Sequence, residues 1–381
     1  LGWEKQIKKL YVAADVQYRR HYDRFELFRD FQNIEPWYAD HNYHLTDVAG
    51  GSLHLEYAGR FGKIDAGVSS RYDHIYSTVL GNVIADTLKH PVNHFEKGMN
   101  KKFNKEADRV LNTAYFDYSK GLGVFYFSAG TSFSHTRKYG LKHHWGADLS
   151  YVPNQHWTVY TSINTASRLP TFTDLYYQNS THNANPDIKP ESSFTSETGV
   201  KYVDSRFNLQ AGGFFRRGNN IIDWVRYSDQ DKWESMNLTE LNTSGLNVSA
   251  GYHFSNSFLK HIYLAYSFIH TDKQANGYDS KYALDYLKHQ LIFSLHHQLL
   301  KNVTVSWSAA YHDRAGSYID FDTNVLTGYS PYLLAGCRIA REKSGLMIYV
   351  DINNMLNENY VDYGGLVQPG IHGNVGFRWK F

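Results

Sequence analysis

The sequence predicts an all-β fold, a transmembrane antiparallel β-barrel, and three observations carry that reading. Apolar and polar residues alternate with period two in segment after segment, which is the strand period. The chain has 31 Tyr, 22 Phe and 8 Trp among 381 residues, yet its mean hydropathy is −0.51. A lipid-facing aromatic surface averaged with a hydrated lumen gives that combination. The connections sort into short and long ones in alternation, which a membrane barrel does and a soluble sandwich has no reason to do. No stretch approaches ~18 consecutive apolar residues, so no helix is expected to cross a bilayer. A closed barrel is the remaining way to pair every backbone polar group in lipid.

The elements follow in order. Leu53, Leu55 and Tyr57 alternate up to a tight turn at Phe61-Gly62-Lys63, and Ile64, Ala66 and Val68 return. Trp157, Val159, Thr161 and Ile163 follow a turn at Pro153-Asn154, and Phe207, Leu209, Ala211, Gly213 and Phe215 follow one at Asp204-Ser205. Leu246, Val248, Ala250, Tyr252 and Phe254 lead into Ser255-Asn256-Ser257, after which Ile262, Leu264, Tyr266 and Phe268 come back. Val303, Val305, Trp307, Ala309 and Tyr311 follow Lys301-Asn302, and Leu346, Ile348, Val350 and Ile352 follow Glu342-Lys343-Ser344. The chain closes on Val375, Phe377, Trp379 and Phe381, alternating with Asn374, Gly376, Arg378 and Lys380. A frayed tail would be polar throughout, so a last strand with an apolar outer face is expected here. It should pair with an earlier strand to close the barrel.

Tight turns are expected near residues 61, 121, 154, 205, 256, 301 and 343. Long loops are expected at about 21–46, 77–108, 168–190, 218–232, 315–328 and 357–370, with shorter ones near 137–142 and 272–281. This gives about 16 strands in one barrel domain, residues 1–381. In such barrels the short turns face the periplasm.

Net charge is +2 with acids and bases interspersed, so nothing points to a nucleic-acid partner. The single cysteine, Cys337, excludes an internal disulfide and a thiolate metal site, and it is expected to face lipid or a packed neighbour. Ser, His and Asp occur only where lumen-facing polar residues are expected. No helix and no Gly-rich phosphate loop is evident, so the chain reads as neither an enzyme nor a cofactor protein. The pairs His143-His144 and His296-His297 cannot chelate one ion from a regular strand, because neighbours face opposite sides. His90 and His94 would need a helical turn. The chain starts at Leu1 without Met or a signal peptide, which reads as a mature or excised piece of something longer.

Two stretches carry a family resemblance. In residues 165–199, Ser167-Arg168-Leu169-Pro170 is followed by Leu175-Tyr176 and then by Asn185-Pro186, Ile188, Pro190 and Glu191. In residues 351–370, Asn354-Met355-Leu356-Asn357 is followed by Tyr360 and by Pro369-Gly370. Both resemble TonB-dependent outer-membrane receptors, with Ile188 and Met355 where the family commonly has Leu and Ile371 where it commonly has Arg. The resemblance covers roughly residues 45–381. It implies a bacterial outer-membrane location, a 22-stranded barrel of which this chain is the C-terminal part, and a plug domain absent from it. It also implies TonB as partner through that plug, the lipid bilayer as surroundings, and a surface lipoprotein as a further partner. A complete 16-stranded porin is the rival, but porins lack the first motif.

The resemblance further implies active import of a large, scarce nutrient. "SRLPTFTDLYY" together with "HIYSTVLG" (74–81) looks most like the cobalamin (vitamin B12) receptors of Bacteroidetes-type bacteria, with ferric-siderophore or haem receptors as the alternative. Aromatics rimmed by polar groups suit a bulky ligand, so Arg168, Tyr176, Tyr177, Asn179, Trp224, Tyr227, Tyr318 and Phe321 are the expected ligand contacts. An outer aromatic girdle would call for the same residues at the same height. Few bases near 168–190 favour a neutral ligand, while Arg216, Arg217 and Arg226 argue for an anionic one.

Overall fold

The computed structural model describes residues 1–26, 41–85, 89–92, 101–227, 232–255, 257–273, 277–320, 323, 325–362 and 365–380. One sheet of 20 strands dominates them. Its short members, Asn82–Val83, His182–Asn183 and Tyr278–Ser280, belong to the loops. The other seventeen form the wall: Gly2–Ile7, Leu10–Phe25, Asn42–Gly59, Gly62–Ser77, Lys105–Leu122, Phe125–Thr136, Gly140–Tyr151, Trp157–Arg168, Glu191–Val203, Phe207–Tyr227, Trp233–His253, Leu259–Thr271, Tyr286–Leu300, Val303–Ala315, Tyr332–Lys343, Leu346–Asn353 and His372–Trp379. Each pairs antiparallel with the next in sequence, so the wall is an uninterrupted meander.

The period-two pattern separates the two faces. Leu53, Val68, Ala114 and Phe133 form one cross-strand row, and Leu53, Val68 and Phe133 are exposed. The adjacent row, on the opposite face, is Ser52, Ser69, Thr113 and Ser134. Apolar outside and polar inside is the arrangement a lipid-embedded barrel requires. The last strand obeys it: Val375, Phe377 and Trp379 are exposed and lie opposite Val350, Ile348 and Leu346. Arg378, on the other face, donates to Met347 Sδ at 3.8 Å. Phe381 lies outside the described residues. Cys337, opposite Trp307, is buried at 7% exposure.

Four expectations need correction. The wall has seventeen strands where about 16 are expected, and it opens with a hairpin, Gly2–Ile7 and Leu10–Phe25, joined at Lys8-Lys9 with Lys8 at φ 56°. A Lys-Lys turn carries none of the Gly, Asn or Asp signals that mark hairpins. The segment 218–232 is mostly strand, because Phe207–Tyr227 and Trp233–His253 each run 21 residues. At about 3.3 Å per residue they far exceed the ~9–11 residues a bilayer needs, so their upper halves stand clear of it. A helix does exist, Phe172–Tyr176. Finally, among the described residues no ladder joins His372–Trp379 to any strand but Leu346–Asn353, nor Gly2–Ile7 to any but Leu10–Phe25, so the meander does not close on itself.

Asn256 lies outside the described residues; the other tight turns fall near where expected and share one end. At the last of them Ser344 (φ 50°) and Gly345 (φ 82°) are both left-handed, the geometry of a two-residue hairpin turn whose twist matches its strands. The buried apolar clusters gather at the opposite, long-loop end: Tyr43, Leu45, Val92 and Phe103; Ile75, Leu80 and Ala107; Leu175, Ile188 and Ile222; and Ile221, Leu241 and Leu284. The loops therefore fold into a packed layer above the wall.

Candidate functional site at the long-loop end

The segment between Arg168 and Glu191 forms the best-defined part of this layer. Thr171 and Asp174 make a capping box that starts the short helix: Thr171 Oγ1 accepts from the Asp174 amide at 3.1 Å, and Asp174 Oδ2 accepts from the Thr171 amide at 2.9 Å. The helix drops Leu175 into the cluster with Ile188 and Ile222, with Tyr176 packed against it. Ser235 then stitches the segment to the tall hairpin, donating to the Asp174 carbonyl at 2.7 Å and accepting from the Asn185 amide at 2.7 Å. Asn237 accepts from the Lys189 amide at 2.8 Å and donates to the Lys189 and Asn220 carbonyls at 2.9 and 2.8 Å. With these bonds at both its ends and its middle, the loop is a built surface and not a loose flap.

A second knot sits at the hairpin tip. Asp223, 1% exposed, accepts from the Trp224 amide at 2.8 Å, the Tyr282 amide at 3.0 Å and the Ser280 hydroxyl. Burial pushes its carboxyl above the usual range even though these donors oppose the shift. Beside it, Lys281 Nζ donates to His182 Nε2 at 2.8 Å, while His182 Nδ1 meets Thr181 Oγ1 at 2.8 Å. Burial, and then the Lys281 charge, lower the His182 imidazole to about 4, and burial also lowers the Lys281 ammonium. Lys281 lies 5.5 Å from the Trp233 ring centroid and 5.7 Å from that of Tyr282.

Next to this knot opens a cleft of about 670 Å³, lined in part by Arg226, His270, Lys273, Tyr278, Tyr286 and Lys288. Its Asp279 is taken up by Arg226 at 2.9 Å, leaving Lys273 and Lys288 without a facing carboxylate among the lining residues. Arg226 also lies 4.9 Å over the Trp233 ring. The cleft therefore offers more positive than negative side chains to whatever enters it.

The expected ligand contacts divide in this layer. Arg168 is paired with Glu191 at 2.8 Å and lies 3.7 Å from Asp174, and Asn179 caps a turn by accepting from the Thr181 and His182 amides at 2.9 and 2.7 Å. Trp224 is 4% exposed and packs edge-on against His182, so it presents almost no surface. Tyr176 packs into two of the buried clusters, and Tyr177 lies between one of them and the His182 ring. Tyr227 is exposed beside Tyr278, and the Tyr318 and Tyr329 rings meet at a tilt with centroids 5.1 Å apart. Phe321 lies outside the described residues, as do His94, Asn324 and Tyr363. Sequence reasoning passed over Lys273, Lys281, Lys288, Asp223 and His182. Their only signal was charge or a lone histidine in or beside the segments 168–190, 218–232 and 272–281, which read as loops.

The histidine pairs behave as strand neighbours should: His296 meets Ser306 on one face, and His297 accepts from Trp307 Nε1 on the other. Among the described residues His54, Glu56 and Asp65 bring potential metal-ligand atoms within 4.8 Å of one another, but Lys63 already holds Glu56 at 3.1 Å and Asp65 at 3.4 Å.

A family model described as TonB dependent receptor-like, beta-barrel matches residues 1–355. Among curated proteins, a vitamin B12 transporter BtuB from Vibrio vulnificus is 26% identical over 112 residues, 29% of this chain and 18% of that protein. Its counterpart from Photobacterium profundum is 23% identical over 179 residues, 46% of this chain and 28% of that protein. Among solved structures, a ferric enterobactin receptor variant from Pseudomonas aeruginosa in complex with enterobactin superposes with TM-score 0.74 at 14% identity, covering 99% of this chain and 61% of that one. The siderophore receptor PirA from Acinetobacter baumannii gives 0.68 at 12% identity, covering 99% and 61%. At such identities the likeness shows the fold alone. The chain spans about three-fifths of the length of these solved receptors.

Proposed function

Because the chain belongs to the TonB-dependent receptor β-barrel family, whose members are outer-membrane transport receptors rather than enzymes, we propose that it forms the wall and outer binding layer of a receptor importing cobalamin. The observation that carries the ligand is the alignment with two vitamin B12 transporters, one over nearly half of the chain. Cobalamin is large, rigid and nearly uncharged, so its contacts should be aromatic faces and neutral hydrogen-bond groups. Tyr177, Tyr227 and Tyr318 would supply the first, while Arg168 and Asn179 hold the loop that presents them. TonB would drive release through a plug domain carried elsewhere in the full receptor, and a surface lipoprotein would cover the loops.

A second reading is favoured by one observation, the cleft with Arg226, His270, Lys273 and Lys288 against the single carboxylate of Asp279. Convergent cations suit an anionic ferric chelate better than a neutral corrinoid. Titrating the full-length receptor with cyanocobalamin and with a ferric catecholate separates the two. Cobalamin binding weakened about tenfold by Tyr227→Ala and unchanged by Lys273→Ala supports the first. Chelate binding lost on Lys273→Ala and Lys288→Ala, with no cobalamin binding, overturns it in favour of the second.

A further inference from the structure

At the short-turn end, three neighbouring strands place histidines in one row. His253 lies directly opposite His261, and His261 lies opposite His296. The His253 and His261 rings stack with centroids 4.2 Å apart and 23° between planes, and the His261 and His296 centroids are 5.8 Å apart. The row belongs to the inner face, because Tyr252 and Leu264, which alternate with it, are exposed on the apolar side. Toward the loops the same face continues through Asn247 opposite Ser267.

We propose that His253, His261 and His296 form a binding site for a divalent transition ion of the class that prefers neutral imidazole, such as Zn²⁺, Ni²⁺ or Cu²⁺. Adjacent strands lie about 4.8 Å apart, and inward-facing side chains converge on the concave side of a curved wall. The nitrogens of the three do not all lie within 4.8 Å of one another as they stand, so turning the rings about χ1 and χ2 would bring them to the ~2.0–2.1 Å of a shared ion, with His261 central and water completing the shell. The rings are available: neither His253 nor His261 has a hydrogen-bond partner for its side chain among the described residues. His296 is already oriented, since its Nδ1 meets Ser306 Oγ at 2.7 Å and leaves Nε2 toward the row. A ligating histidine is characteristically held through its other nitrogen in this way. Adjacent histidines in one strand cannot do this; histidines paired across strands can, and 253 and 261 are mirrored about the turn that joins their strands.

Zn²⁺ titration of the metal-stripped, full-length receptor against a chromophoric chelator tests the assignment. One ion per chain is expected, weakened at least tenfold by His261→Gln and lost in the triple His→Gln variant, while His143→Gln on the outer face leaves it unchanged. Binding should weaken in acid, because a protonated imidazole has no lone pair for the ion. Should a variant fail to fold, Cu²⁺ bound to the unaltered receptor decides by its electron paramagnetic resonance. Splitting from two or three imidazole nitrogens supports the site. Zn²⁺ binding that survives the triple variant, or a Cu²⁺ signal without nitrogen splitting, overturns it.

Discussion

Glu191 grips Arg168 with both carboxylate oxygens: Oε2 accepts from Nε and Oε1 from Nη2, each at 2.8 Å, and Oε1 also accepts from the Ile222 amide at 2.8 Å. One side chain thus fastens the end of one strand, the start of the next and the tall hairpin beyond it. Burial alone would raise the Glu191 carboxyl, but Arg168 and the Ile222 amide hold it below its usual range. Glu191 is 10% exposed against 48% for Arg168, so losing the arginine strands a buried carboxylate, whereas losing the glutamate frees a cation that water can solvate. Arg168→Ala should therefore cost about 1–3 kcal/mol, scaled down from the 3–5 of a fully buried pair, and open residues 171–190 to chymotrypsin at Phe172, Tyr176 and Tyr177. Arg168→Lys should recover only part, lacking the fork. An unchanged cleavage pattern in Arg168→Ala would show that the clamp does not hold the loop.

The last strand offers a test of facing. Phe377→Asp and Trp379→Asp put a carboxylate on the lipid side, where an acid costs somewhat less than the about 2–4 kcal/mol of an Arg or Lys at the midplane, and less again toward the interfaces. Arg378→Asp puts one on the lumen side. Assembly into outer membranes, read as the heat-modifiable band on gels, should drop sharply for the first two and stay near normal for the third. Equal damage from all three would reverse the assignment of faces.

The wall was legible because period two is a repeated, additive signal. Leu53, Leu55 and Tyr57 on one strand and Ile64, Ala66 and Val68 on the next predict each other's face and the turn between them, and the register pairs Leu53 with Val68 as that symmetry demands. The binding layer was less legible. Ile221, Ile222, Asp223, Trp224 and Val225 break the alternation because, above the membrane, packing covers both faces of their strand, so the run reads as loop. Trp224 looked like a ligand contact for the same reason that it is buried: a large ring among polar neighbours fits either role, and only the His182 contact distinguishes them. The His253–His261–His296 row escaped notice because its members are 8 and 35 residues apart in sequence and meet only through strand pairing.

The second motif stretch acts through backbone geometry. Asn354 (φ 48°) and Asn357 (φ 51°) are left-handed, a region asparagine tolerates better than most side chains. Asn354 also donates to the Glu358 and Pro369 carbonyls at 2.9 and 3.1 Å and accepts from the Glu358 amide at 2.9 Å. Asn354→Gly keeps the backbone freedom and loses the bonds, and should cost about 1–2 kcal/mol. Asn354→Ala loses both and should cost about 2–4 kcal/mol. Thermal midpoints should rank wild type, Gly, Ala; an Ala variant as stable as Gly would remove the strain argument.

The His182–Lys281 contact makes the loop layer sensitive to acid. The imidazole titrates near 4 in the folded layer and near 6.5 when released, so its contribution is fully present above about 6.5 and is lost as pH falls toward 4. Asp223 works in the opposite sense: its raised carboxyl is best tolerated when protonated, so acid relieves the cost of burying it. The two slopes are separable by substitution. Protection factors of the Thr181 to Ala184 amides, taken against the intrinsic exchange rate at each pH, should fall between pH 6.5 and 4.5 in the unaltered receptor. His182→Phe, which fills the space against Trp224 without a titrating group, should flatten that fall. Asp223→Asn removes the opposing slope and should steepen it. If His182→Phe leaves the profile unchanged, the acid sensitivity belongs to another group and the His182–Lys281 contact is only packing.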